Sequence, residues 1–589
     1  MDKFKEIFEK YCLKEVLFIF AISAFLFFLF YGKQDVYLVD VGREAYIPWQ
    51  MLKGQLLYKD IFNVYGALGY QINAILYYIF GVHLNTLYFA GFFNSLIILY
   101  SVFFISKVFV DKKISLTVTA LVLGACVYSN SLFFNFIFTY SYSAVYALSG
   151  FLLSLYFALK FIRDKKNYAF ILAFLFAGFS FACKIENAPY FCFLFACLPF
   201  VVKKDWKKYL YALTAFLVFP VLSFGTLLIQ GVSINDLTHA VVLIKRLVES
   251  KATTYFYFNY GLYFHKAIFL RVLGYVFKLF VFSLIPFCVA FILNFINVKY
   301  VKNKFVSLFI KLSVFVFAMV FVFKHLRFFE SNNHNMFCWL GTACLLILTG
   351  MSVVYVYKYI KNKRPIQTAD LMFLFLLVST VCVSFKGLFA ITLTCYGTFT
   401  VAALIIPFVI FLTKYLPIKL PQNGQTAFVQ TVVMMSVMAV FACLSANIDR
   451  ITTGNLYTIK TVKGLMSIRS VYPNQNVLLD YIVKNTPQNA RIVVVPEGVT
   501  INFLTQRDSH NKYYYLIPGN VEVFGEENIL NDFKQNPPEY FVTQNLSYSC
   551  YGVDDFCSYA GNICDFINQN YVQEIGVNGT IDMYLYKRK

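Results

Sequence analysis

Long apolar runs separated by short basic connections dominate the chain up to about residue 445. A helix rising about 1.5 Å per residue crosses roughly 30 Å of hydrocarbon in about 17 to 25 residues. Thirteen stretches of this kind stand out, at roughly 16–32, 84–108, 114–132, 139–162, 167–183, 186–202, 209–229, 272–297, 304–323, 335–358, 368–385, 391–414 and 426–445. They predict a polytopic α-helical membrane protein with about thirteen transmembrane helices. After about 446 the pattern changes, and short strand-like runs alternate with helix-like ones. Arg491 to Val495 reads as a buried strand ending at Pro496, and Tyr540 to Thr543 as another after Pro537 and Pro538. The expected organisation is a transmembrane domain over 1–445 and a C-terminal soluble α/β domain over 446–589.

The basic residues fix an orientation. With the N-terminus in the cytoplasm, every second connection should be rich in Lys and Arg. Those connections carry Lys112 and Lys113; Arg163, Lys165 and Lys166; Lys203, Lys204, Lys207 and Lys208; Lys299, Lys302 and Lys304; Lys358, Lys361, Lys363 and Arg364; and Lys414 and Lys419. An odd number of crossings then leaves the C-terminal domain outside. The first apolar run follows Lys3, Lys5, Lys10 and Lys14, but it lacks a small-residue cleavage site and reads as a retained helix rather than a signal peptide. Two outer connections are long, roughly 33–83 and 230–271. In the second, Ile234, Leu237, Val241, Leu243, Ile244 and Leu247 recur at helical spacing beside Lys245, Arg246 and Lys251, the pattern of an amphipathic helix on a membrane surface. In the first, Ala67 to Phe80 is apolar but short for a crossing, as an interfacial or re-entrant piece would be.

Composition agrees with this placement. The chain is 59% hydrophobic and 14% charged, against about 25% charged in soluble domains. Its formal net charge of +21 sits in connections between apolar runs, not on a soluble basic face, which argues against nucleic acid as a partner. Most of the 14 Cys lie inside apolar segments, where a thiol packs as a small hydrophobe. Cys550, Cys557 and Cys564 follow in the C-terminal region, without the CxxC spacing of a zinc or redox pair; in an oxidising compartment they allow one disulfide with one cysteine left over. The region carries no phosphate loop, dinucleotide fingerprint, HExxH helix or GxSxG elbow.

Candidate chemistry concentrates just after the first helix. Asp35, Asp40, Arg43, Glu44, Lys53, Lys59 and Asp60 lie among Tyr37, Tyr46, Trp49, Tyr58 and Tyr65. A solvated connection with interfacial aromatics would read the same way. The run Asp40-Val-Gly-Arg43-Glu44, followed by Pro48, Gly54 and Leu57-Tyr58-Lys59-Asp60, resembles the first extracytoplasmic loop of the GT-C membrane glycosyltransferases, the group related to protein mannosyltransferases and aminoarabinose transferases. In that family an acidic residue after the first helix, commonly in a D-[DE]-x-R setting, is catalytic. Asp40 and Arg43 match its ends, while Val41 stands where the second acid would be and Glu44 is near. The resemblance extends to thirteen helices with an outer C-terminal domain. It implies an inverting transfer of a sugar from a polyprenyl-phosphate donor to an extracytoplasmic acceptor (lipid, glycan or protein), in a bacterial inner membrane. Asp40 would then be the general base, and Arg43 would orient it or bind phosphate bidentately.

Further candidates for the same cavity are Glu44, Lys59 and Asp60 in the first connection, Lys184 and Glu186 between two apolar runs, Lys324 and Arg327 near His325, Glu330 and His334, and Lys386. Each has an inert alternative, a salt bridge or a polar turn. The six His show no zinc spacing; a divalent cofactor between Asp40 and Glu44 lacks a motif, and no metal ligand is assigned. The rival readings are a GT-C enzyme that moves a whole glycan, a transporter or lipid flippase, and a non-catalytic scaffold. Against the transporter stands the absence of a visible internal repeat, with the charges gathered at one surface.

Overall fold

The computed structural model describes residues 12–33, 35–36, 38–129, 135–202, 205–259, 266–324, 333–362, 367–385, 398–452, 456–469, 474–509, 513–579 and 581–589 and most of their side chains. Each of the thirteen expected stretches contains helix. Among the described residues, nine helices are long and apolar enough to cross a membrane by length and composition, and Asn167–Cys183 and Thr368–Ser384 are apolar but shorter. On those terms the described residues do not reach thirteen.

The helices used below are α1 (Leu13–Phe30), α2 (Leu38–Leu52), α3 (Ala67–Phe80), α4 (Leu84–Lys107), α5 (Lys112–Val122), α6 (Tyr142–Asp164), α7 (Asn167–Cys183), α8 (Trp206–Ile229), α9 (Ile234–Glu249) and α10 (Lys251–Asn259). Helix α1 is apolar all round, yet its faces differ: Phe27 is 1% exposed, while Phe25 and Phe28 are 67% and 72% exposed. Rings left open in this way fit acyl chains as their neighbours. Helix α7 packs between α6 and α8, and small polar residues tie it to α6. Ser180 Oγ donates to the Ala147 carbonyl at 2.7 Å and Ser154 Oγ to that of Ala173 at 2.6 Å, the interhelical bonding that hydrocarbon surroundings favour. Helix α5 starts at Asp111, whose side chain accepts from the amides of Lys113 and Ile114. It ends in a π turn over Leu123–Val127.

The long connection after α1 is not a solvated loop. It folds into α2 and α3, and Val41, Ala45, Tyr46 and Ile47 on α2 are fully buried or nearly so. In the second long connection the expected amphipathic helix forms as α9, started by a reciprocal cap between Ser233 and Asp236. Ile234 and Val241 stay 70% and 66% exposed on it.

The C-terminal region holds β2 (Leu456–Thr461), β3 (Gly464–Arg469), β4 (Ile492–Val495), β5 (Tyr540–Gln544), β6 (Tyr571–Val577) and β7 (Met583–Arg588), and β1 is Asp35–Val36 in the first connection. The expected strands around 491–495 and 540–543 are β4 and β5. They pair in parallel, Ile492 opposite Tyr540, and the sheet runs β4-β5-β7-β6 with its other pairs antiparallel. Side chains alternate across a strand, so β4 serves two cores. Ile492 and Val494 join the one shared with the membrane helices, and Val493 and Val495 pack with Phe533, Phe541 and Ile563 on the other face. The second sheet runs β1-β3-β2, with Asp35 opposite Ser467, so it draws strands from both ends of the chain. Cys557 and Cys564 form a disulfide, and Cys550 is not part of it.

Candidate functional site

Helix α2 carries the site, and two close approaches set it. At Gly42 a Cβ would collide with the backbone amide of Thr500, so only glycine lets α2 lie on the helix α11 (Thr500–Thr505). At Gly66 a Cβ would collide with the carbonyls of Ala182 and Cys183. That contact seats the start of α3 on the end of α7 and brings Tyr65 beside Lys184.

Glu44 is 1% exposed and anchors the cluster. Its Oε1 accepts from Tyr70 Oη at 3.0 Å and from Arg43 Nε at 3.2 Å, and its Oε2 accepts from the Tyr142 amide at 2.9 Å. That amide belongs to the first turn of α6, where backbone N–H groups lack helical partners and favour an acidic group. Glu44 therefore ties α2 to α3 and α6.

Arg43, whose side chain is 11% exposed, runs between two rings. Its Cζ lies 4.8 Å from the Tyr65 centroid and 5.1 Å from that of Tyr140, and Nη2 donates to the Tyr140 carbonyl at 3.3 Å. Lys184 Nζ lies 5.5 Å from the same Tyr65 ring and pairs with Glu186 at 3.4 Å. One tyrosine thus carries two cations, contacts of about 0.5–2 kcal/mol each. Its backbone is held too, because Tyr58 Oη and Asn63 Nδ2 both donate to the Tyr65 carbonyl, at 2.5 Å and 2.8 Å. Burial works against the Arg43 charge, but Tyr65, Tyr70, Tyr140 and Glu44 more than offset it and hold the guanidinium protonated above its ordinary value. Tyr515 reaches Arg43 from the C-terminal region; burial pushes its phenol up to about 12 while Arg43 pulls it down. Tyr515 sits across an antiparallel bridge from Glu497, which accepts from Tyr548 Oη at 2.8 Å.

The C-terminal region also grips α2 directly. The Ser509 amide donates to Tyr46 Oη at 2.7 Å, Gln50 Nε2 and Lys53 Nζ donate to Asp508 at 3.0 Å and 2.7 Å, and the Trp49 ring meets Phe503 edge-on.

Of the residues expected from sequence, the fold brings Arg43, Glu44, Lys184 and Glu186 together. The Asp40 backbone lies on α2, three and four residues before Arg43 and Glu44, a spacing that shares one helical face; its side chain is outside the description. Lys59 donates to the Gly231 carbonyl at 3.3 Å, tying the two long connections, and Asp60 accepts from the Leu56 amide at 2.8 Å to close a turn. Arg327, His325, Glu330 and Lys386 lie outside the described residues, as do the side chains of Lys324 and His334. Among the described residues no group of three or more His, Cys, Asp or Glu is poised to hold a metal ion. Tyr65 stood among the aromatics of the first connection without a role of its own, while Tyr140, Tyr515 and Glu497 escaped the sequence reading, since tyrosine is common here, with 44 in the chain, and none of the three lies in a motif.

No family model and no curated protein matches the chain. Among solved structures, the chain is similar to ArnT from Cupriavidus metallidurans bound to undecaprenyl phosphate, at 10% identity and a TM-score of 0.42 over 97% of both chains. It is also similar to the oligosaccharyltransferase AglB from Archaeoglobus fulgidus in complex with an inhibitory peptide and a dolichol-phosphate. There the identity is 13% and the TM-score 0.45, over 99% of this chain and 75% of that one.

Proposed function

We propose that the protein is a membrane glycosyltransferase that moves a sugar, with inversion, from a polyprenyl-phosphate donor to an acceptor on the outer side of the membrane. The observation that carries this reading is the convergence of Arg43 and Lys184 on Tyr65, beside helices apolar enough to hold an isoprenoid tail. Arg43 and Lys184 each pair with a carboxylate, Glu44 and Glu186, yet both retain donors that an anion can use, and in a membrane protein a lipid phosphate is an anion close at hand. The resemblance of the Asp40 to Asp60 run to GT-C glycosyltransferases points the same way.

In this reading Asp40 takes the proton of the acceptor hydroxyl as its oxygen attacks the anomeric carbon. The bond to the donor phosphate breaks with its electron pair, and the phosphate leaves toward Arg43 and Lys184, whose charges favour the developing anion. Glu44 holds Arg43 in position. The N-terminus is cytoplasmic, the region after about 446 faces the acceptor compartment, and the membrane is a bacterial inner membrane.

The test is transfer from a panel of radiolabelled polyprenyl-phosphate sugars by membranes containing the wild type or Asp40→Asn. Loss of a general base costs about 10² to 10⁴ in rate when chemistry limits turnover. A drop of that size with normal membrane insertion supports the reading. Equal transfer by both proteins sinks the role of Asp40, and no transfer by the wild type from any donor sinks the reading itself.

A further inference from the structure

A cavity lies outside the Arg43 cluster, between α10 and the C-terminal region. Its volume is about 600 Å³, within the range of about 300–1,000 Å³ typical of small-molecule sites. Lys251 and Tyr255 from α10 line it, with Glu522, Glu526, Tyr551 and Tyr559 from the C-terminal region. We propose that this groove is a binding site for a neutral saccharide.

Its rings are presented and fixed. Tyr255 is 48% exposed, and a Cβ at Gly552 would come within 3.2 Å of its ring, so a bare backbone lies beneath it. Tyr551 stacks on Phe256 with centroids 4.7 Å apart, and Tyr559 is anchored by its hydroxyl, which donates to the Leu516 carbonyl at 2.8 Å. Aromatic faces of this kind take the apolar C–H face of a pyranose, and hydroxyl groups then need acceptors around the edge. Two carboxyl groups supply them. Glu522 accepts from the Lys251 and Ala252 amides at 2.9 Å and 3.1 Å, and Glu526 from Asn562 Nδ2 and the Ile563 amide at 3.0 Å and 3.2 Å. These bonds hold the carboxylates in place and use about half of their roughly four lone-pair sites each, leaving capacity for sugar hydroxyls.

Charge selects the class of ligand. Two carboxylates against one lysine leave the groove net negative, which disfavours a phosphate, a nucleotide or a uronate. A chain of contacts runs from the groove toward the first site: Tyr551 and Tyr559 both meet the ring of Tyr548, which donates to Glu497, the neighbour of Tyr515. That this saccharide is part of the acceptor rests on the transfer reading; the binding itself does not.

The experiment is retention of the full-length chain, in detergent, on a printed array of neutral and uronate-containing oligosaccharides. The comparison set is Tyr255→Ala, Tyr255→Trp and Asp40→Asn, with thermal unfolding of each as a folding control. Retention of neutral glycans is expected, weakened about tenfold by Tyr255→Ala, kept by Tyr255→Trp and unchanged by Asp40→Asn. The proposal falls if no neutral glycan is retained, if uronates bind better, or if Tyr255→Ala binds like the wild type. Retention without sugar transfer would keep the groove and sink the transfer reading, whereas transfer without retention would sink the groove alone.

Discussion

Arg43 and Glu44 are neighbours in sequence with different tasks. Arg43 is caught between Tyr65 and Tyr140, with its Cζ over both rings, and a compact ammonium group cannot supply the same flat, forked set of contacts. Arg43→Lys is therefore expected to lower sugar transfer by about tenfold or more while leaving the protein folded, measured as transfer rate beside thermal unfolding in detergent. Glu44 instead binds three donors from three helices. Removing one partner of a buried charged pair costs about 3–5 kcal/mol, so Glu44→Ala should lower the unfolding temperature before any question of activity arises. An unfolding temperature equal to the wild type would refute the anchor role. Arg43 and Glu44 were legible in sequence because they fall in a polar run after an apolar one. Their meaning was not, because Tyr70, Tyr140 and the start of α6 come from separate parts of the chain.

At the scale of elements, α2 is held by shape more than by charge. The Lys53–Asp508 pair is 40% and 42% exposed and contributes about 0–1 kcal/mol. The approach at Gly42 is different, since any side chain there meets the Thr500 backbone. Gly42→Ala should cost about 1–3 kcal/mol through overpacking and loosen α2 from α11, which limited proteolysis would detect as faster cleavage after residue 470. An unchanged cleavage rate would count against that packing. Helices such as α1 and α4 could be read from sequence because 18 and 24 residues of apolar pattern leave little choice. The pairing of β1 with β3 could not: a strand of two residues has no period, and its partner Ser467 lies beyond every membrane helix.

For the whole molecule, the proposed orientation puts the N-terminus in the cytoplasm and the C-terminal region on the other side, following the basic connections. Alkaline phosphatase fused after Lys589 should be active in a bacterial host, and the same fusion at Lys165 inactive; the reverse pattern would overturn the orientation. The C-terminal region belongs to the site's architecture, because it shares a core with the membrane helices through Ile492 and Val494 and supplies Tyr515 to Arg43.

The grip of Asp508 on Lys53 spans 455 residues, and time enters through that span. At about 5–20 residues per second of synthesis, α2 waits roughly 20–90 s for the partners that complete its surroundings. During that interval Arg43 and Lys184 are already made, but Tyr515 is not. A chain released early would carry Asp40 and Arg43 without Tyr515, and hence an incomplete site. The surroundings of Arg43 are thus completed only once the chain has been made through Tyr515.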